Sequence, residues 1–271
     1  MRSIAVLIDF TEGSEKALEQ AAILAEREKI PMYAFHFADS KKEEVLEGLR
    51  KKLTEFVIPA VEHGTDVHPR VESASLFSGV REALLGTECD LCVIGTHGIK
   101  GLRQNLFGSN ILRLVRLVPH ASLVIQENLK VPKTGFKKIL FPIGPHDDFT
   151  LKAEQLAPWA KSFGSYVELF AITKSISGLS DSIAKNLDKV HGIFRQMEVE
   201  QSIHIEPANG YSIGYSRQTL EYAHQNDFDM IAIMAQSSEE NRYFSRTDKE
   251  NVMLNEHGIP VFCAHSLAQE D

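Results

Sequence analysis

The sequence predicts an α/β protein built from two tandem, doubly wound parallel sheets of five strands each. Three observations carry that expectation. Short apolar runs alternate with amphipathic stretches along the 271 residues, the signature of parallel strands with helices on both faces. The order of elements then restarts at an offset of about 135 residues, far longer than a solenoid repeat. Ile4-Ala5-Val6-Leu7 answers Lys138-Ile139-Leu140-Phe141, and Cys89-Asp90-Leu91-Cys92-Val93-Ile94 answers Phe228-Asp229-Met230-Ile231-Ala232-Ile233. Between the copies lies a polar stretch holding Pro132 and Gly135, which reads as a linker. The expected boundaries are a first domain over 1–127, a linker over 128–135 and a second domain over 136–271.

In the first half, residues 3–8 form an apolar run ending at Asp9, as a central parallel strand does. Thr11-Glu12-Gly13-Ser14 supplies helix-cap chemistry, and Ala17, Ala21, Leu24 and Ala25 follow at helical spacing. A second strand is expected over 32–37 after Pro31. A charged helix comes next, with Val45, Leu46, Leu49, Leu53 and Phe56 on one face. Strands are expected at 67–71, 91–94 and 122–125, with helices around Val80–Leu84 and Ile111–Val118. The second half repeats this with strands at 138–141, 166–172, 202–205, 230–234 and 260–263. Its helices run through Ala153–Ala160, up to about Met197, and through Thr219–Ala223. Trp159, the single tryptophan, reads as a packing residue of the first of these.

Composition narrows the function classes. There are 29 basic and 37 acidic residues, a net charge of −8, with no run of Lys or Arg beyond scattered pairs. Nucleic acid and anionic membranes are therefore not the expected partners. No stretch approaches the roughly 18 apolar residues of a membrane span, and Met1-Arg2-Ser3 leads straight into the first strand without a signal-peptide pattern. A soluble, cytoplasmic protein is expected. The three cysteines, Cys89, Cys92 and Cys263, make no disulfide framework. Cys89-x-x-Cys92 can be read as redox or as half a metal site. Its place at a buried strand, with no second Cys or His pair at ligand spacing, favours buried thiols.

The stretch with chemical content is Gly95-Thr96-His97-Gly98-Ile99-Lys100-Gly101-Leu102-Arg103-Gln104-Asn105-Leu106-Phe107-Gly108-Ser109-Asn110. It leaves the C-terminal end of a buried strand and leads into a helix, where open α/β sheets bind ligands. Glycines let the backbone approach a ligand, and the free N–H groups of a helix start attract an anion. Ser109 can cap that helix or donate to a phosphate oxygen, and Lys100 and Arg103 can add positive charge. A flexible turn before a helix is the plain alternative. Asp9 likewise reads as a ligand contact or as a helix cap.

The spacing Gly95-x2-Gly98-x9-Gly108-Ser109, with Asp9 in Ile-Asp-Phe-Thr-Glu-Gly-Ser and His36-Phe37 ending the second strand, resembles the ATP-binding signature of the universal stress protein family. Ala121-Ser122-Leu123 and Ile259-Pro260-Val261 echo the family's last strand. The resemblance implies a Rossmann-like fold of the adenine-nucleotide alpha hydrolase type in both halves, packed through their last strands as an intrachain pseudo-dimer. It implies that Asp9 contacts adenosine and that the backbone of Phe37 reads the adenine edge. Gly95, His97 and Gly98 would line ribose and phosphate, and Gly108, Ser109 and Asn110 would bind the outer phosphates. The ligand so implied is ATP, with AMP or ADP as relatives and Mg as companion ion.

The second half departs from this pattern. At the loop position stands the run from Met234 to Asp248, without glycine and with the acids Glu239, Glu240 and Asp248, and Gly144-Pro145-His146-Asp147 replaces the acidic turn. Nucleotide binding is thus expected in the first half alone. The resulting expectation is a nucleotide-responsive stress and signalling module with an unknown protein partner, and with further pairing into a homodimer left open. A slow ATPase or nucleotidyl transferase, and a structural dimerisation protein with a vestigial pocket, stay open beside it. The sequence has no Walker loop, and Asp9 and His97 are the only acid–base candidates for hydrolysis.

Overall fold

The structure, a computed structural model, describes residues 1–96, 110–129, 135–145, 149–173, 178–208, 215–235 and 245–265. The chain divides into two compact units, Met1–Lys133 and Thr134–Asp271.

The first unit runs β1 (Ile4–Leu7), α1 (Glu12–Glu28), β2 (Met32–Phe37), α2 (Glu43–Phe56), α3 (Ile58–Glu62), β3 (Val67–Glu72), α4 (Leu76–Leu85), β4 (Leu91–Thr96), α5 (Ile111–Leu117) and β5 (Ala121–Gln126). Its sheet has the order β3-β2-β1-β4-β5, and every pairing is parallel. Ile4 stands opposite both Met32 and Leu91, and Leu7 opposite both Phe35 and Ile94. Chain direction away from β1 reverses between the β1–β2 and β4–β5 crossovers. Right-handed crossovers then place α1 to α3 on one face and α4 with α5 on the other; α1 packs on α3, and α4 on α5. The central strands β1 and β4 are buried on both faces, which is why they read as unbroken apolar runs.

The second unit runs β6 (Lys138–Ile143), α6 (Phe149–Phe163), β7 (Tyr166–Thr173), α7 (Asp181–Gln196), β8 (Glu200–Pro207), α8 (Ser216–Gln225), β9 (Met230–Met234), α9 (Arg246–Met253) and β10 (Val261–Ala264). Its sheet order, β8-β7-β6-β9-β10, is the same topology, again all parallel. The predicted strands all exist, within two residues at either end. Trp159 is buried beside Phe163, with ring centroids 6.0 Å apart.

Two details differ from the sequence expectation. The charged helix buries only Leu46 and Leu53, and Val45 lies 44% exposed, because the helix covers the sheet margin with a narrow stripe. The segment after it, for which the sequence reading names no element, contains the short helix α3, opened by Pro59 near its first position, where a missing N–H costs nothing.

The repeated Cys-Asp-Leu and Phe-Asp-Met segments share a structural task. Asp90 accepts the backbone N–H of Arg2 at 2.5 Å, and Asp229 accepts those of Lys137 and Lys138 at 2.7 and 2.9 Å. Each carboxylate ties the start of one central strand to the start of its neighbour. Burial raises the Asp229 pKa, opposed by those N–H donors.

Candidate functional site

The switch in strand order of the first unit falls between β1 and β4, and ligands of open α/β sheets bind at the carboxyl ends of the strands at such a point. Asp9 lies two residues beyond Leu7, the last paired residue of β1. By the same register Phe37 and Thr96 close β2 and β4 at that height. Asp9, Phe37 and the end of β4 are thus brought to one edge of the sheet, and Asn110 opens α5 as its N-cap. His97, Gly98, Gly108 and Ser109, with Lys100 and Arg103, lie outside the described residues.

Asp9 is half-buried. Its Oδ1 accepts the backbone N–H of Thr11 at 3.1 Å and also the Thr11 hydroxyl. Thr11 is the N-cap of α1 and forms a reciprocal capping box with Ser14, which satisfies donors that a helix start leaves open. Asp9 does not itself cap the helix; it orients the residue that does. Its Oδ2 makes no hydrogen bond among the described residues, so one carboxylate oxygen is fixed and the other is left to accept from a ligand.

Gly95 has a cause of its own. A Cβ at that position would stand 2.0 Å from the carbonyl oxygen of Gly13 and 2.7 Å from the amide nitrogen of Ser14. Conversely, a Cβ on Gly13 would stand 3.2 Å from the backbone nitrogen and oxygen of Thr96. The first turn of α1 therefore rests directly on the end of β4, backbone against backbone. Close packing accounts for glycine at 95 without a ligand. Gly13, read from sequence only as part of a cap, is the other half of this contact.

Phe37 is buried, and its Cε1 lies 3.3 Å from where a Cβ on Gly79 would stand, so its ring packs beneath α4. Its side chain belongs to the core, and what it presents at the strand end is backbone. His36, on the opposite face, donates Nδ1–H to the carbonyl of Ile8 at 2.8 Å. Burial lowers its pKa below the usual imidazole value, Lys52 adds to this, and the Ile8 carbonyl and Asp9 oppose it.

The three thiols are buried and free. Burial pushes Cys89 up to about 11 and Cys263 up to about 12, and raises Cys92 as well. Such thiols carry little thiolate near neutrality. Among the described residues no cluster of three or more His, Cys, Asp or Glu is placed to hold a metal.

The second unit builds the corresponding place differently. Helices α1 and α6 end alike, with the Ile30 N–H on the Ala25 carbonyl and the Ser165 N–H on the Ala160 carbonyl, so Lys152 takes the position of Ala17 in α1 and Phe149 that of Ser14. The β6–β9 pairing is registered only at Ile139 with Met230 and Leu140 with Ile231. Beyond it Pro142 lacks the N–H that a ladder needs. There Lys152, 1% exposed, donates Nζ–H to the carbonyls of Pro142 at 2.6 Å and Ala232 at 3.1 Å. The same ammonium lies 3.8 Å over the Phe141 ring and 4.7 Å over the Phe149 ring. Burial holds its pKa well below the ordinary lysine value, and the neighbouring Lys249 adds to this. Sequence reasoning missed Lys152; its one signal is its place beside Phe149, Ala153 and Leu156, on the apolar stripe of its helix.

These features define a protein of the doubly wound, Rossmann-like class, with a carboxylate at the switch point of its first sheet. Residues 1–126 match the model of the universal stress protein family. No curated protein matches the chain. The chain is similar in fold to a universal stress protein from Archaeoglobus fulgidus DSM 4304, at 14% identity and a TM-score of 0.71, over 97% of this chain and 98% of that one. It is also similar to a functionally unknown protein from Pseudomonas aeruginosa PAO1, at 16% identity and a TM-score of 0.62, over 98% and 93% of the two chains. Both likenesses span the two units, so the tandem α/β fold recurs as a whole. Among the described residues no helix is long and apolar enough to cross a membrane.

Proposed function

We propose that the first unit binds an adenine nucleotide, ATP by preference, and that the protein is a cytoplasmic stress-response module that responds to the bound nucleotide. The observation that supports this best is Asp9 at the switch point, with Oδ1 held by Thr11 and Oδ2 open to a ligand hydroxyl or amino group. In this reading Asp9 and the backbone of Phe37 take the adenosine. Gly95 acts through its backbone alone, since the space of its side chain is filled by Gly13. His97 and Gly98 line the ribose and inner phosphate, and Gly108, Ser109 and Asn110 receive the outer phosphates at the start of α5. Mg enters as the companion ion of the phosphates. The second unit is the non-binding half, with Phe149 and Lys152 at the seam where α1 and β4 of the first unit meet through glycines.

Calorimetric titration of nucleotide-stripped protein with Mg-ATP tests the reading, with AMP and ADP as competitors. One site per chain is expected. Two sites would overturn the assignment of the second unit as non-binding. No binding at millimolar ATP would overturn the proposal as a whole. Gly108→Asp, which sets a negative charge at a helix N-terminus, is expected to abolish binding without loss of fold.

A further inference from the structure

Phe10 directly follows Asp9 and stands at a φ of 62°, the left-handed region, which a bulky side chain enters only when its surroundings hold it there. Those surroundings come from two elements. The ring lies 4.5 Å from that of His36 on β2 and meets Phe56 of α2 edge-on at 5.5 Å. Lys52, also of α2, sets its Nζ 4.0 Å over the ring centroid, an attractive cation–π placement. His36 is itself fixed by its bond to the carbonyl of Ile8. The Asp9–Thr11 hydrogen bonds span Phe10, so any rotation of Phe10 out of the left-handed region opens the turn that orients the carboxylate.

We propose that Phe10 is a positioning residue for Asp9: its stack with His36, Phe56 and Lys52 locks the turn that leaves Asp9 Oδ2 facing a ligand. The inference rests on the nucleotide reading above and names the residue that tunes affinity at that site. Glycine at position 10 would reach the same backbone angles at no steric cost but would populate others as readily. The ring converts an allowed conformation into the only one.

The test compares Mg-ATP affinity of the full chain, by calorimetry, for wild type, Phe10→Gly, Phe10→Tyr and Asp9→Asn, with thermal unfolding of each. Phe10→Gly is expected to stay folded and to weaken binding about ten-fold, the scale of one impaired hydrogen bond to a charged group. Phe10→Tyr keeps the ring with its stacking and cation–π contacts and is expected to bind with wild-type affinity. Phe10→Asn, which tolerates the left-handed region without the ring, replaces the glycine variant if that one fails to fold. Wild-type affinity in the ring-less variant overturns the inference while leaving nucleotide binding intact. A loss larger than that of Asp9→Asn also overturns it, because Phe10 would then act other than through Asp9. Absence of ATP binding by the wild-type protein overturns the reading beneath, and this inference with it.

Discussion

Gly95 and Gly13 meet so closely that a single Cβ on Gly95 would lie 2.0 Å from the Gly13 carbonyl oxygen. The atom in the way is backbone, part of the first turn of a helix of 17 residues, and it cannot rotate aside as a side chain would. Gly95→Ala is therefore expected to push α1 off β4 and to destabilise the first unit by about 3 kcal/mol or more, the upper range for overpacking. Gly13→Ala meets its neighbours at 3.2 Å and gains about 1 kcal/mol of helix propensity, so it should cost much less. Urea denaturation of the two variants checks the order. Equal costs would mean that the helix start yields freely and that the contact does not constrain the fold.

Both glycines were visible in the sequence, but the reason for them was not. A close approach joins two positions far apart in the chain, and single-residue patterns carry no pairing information. The strands were legible because a parallel strand buried on both faces is an apolar run, as in Leu91–Thr96. Asp9 stood out as the polar residue that ends such a run. Phe10 was read only as a neighbour, because nothing in a side chain's chemistry announces a positive φ. Val45 misled for the opposite reason: it lies on the apolar face of α2, yet that face is wider than the surface it covers. Lys152 was hidden by residue type, since a lysine in an amphipathic helix ordinarily faces water.

Lys152 makes the stability of the second unit depend on alkaline pH. Its pKa in the folded protein lies well below the ordinary lysine value because of burial, with Lys249 adding to the shift. Between that lowered pKa and the unfolded value of about 10.4, the unfolded chain binds a proton that the folded chain does not. Stability then rises with pH, by up to about 1.4 kcal/mol per unit, and levels off above the unfolded pKa. The buried thiols act in the opposite sense, since their raised pKa values make stability fall as pH climbs past about 9. The difference between wild type and Lys152→Met removes their contribution, because both proteins share them. Denaturant midpoints from pH 7 to 10 are expected to show that difference moving in favour of the wild type. A flat difference would mean that the buried ammonium keeps its proton throughout.

Gln20 is the place where the first unit is less well made than the second. It is fully buried on α1, and neither its Oε1 nor its Nε2 has a hydrogen-bond partner among the described residues. An unsatisfied buried amide costs about 1–3 kcal/mol. The matching ends of the two helices put Gln155 at the same position of α6, where its amide donates to the His265 carbonyl at 2.6 Å and accepts the His265 N–H at 2.9 Å. Leucine is close to glutamine in volume, so Gln20→Leu asks little repacking of the surrounding core. The substitution is expected to stabilise the first unit by about 1–2 kcal/mol, read as a rise in its denaturation midpoint at unchanged slope. A destabilised variant would show that the amide is satisfied after all, by an ordered water in a polar niche beside the helix.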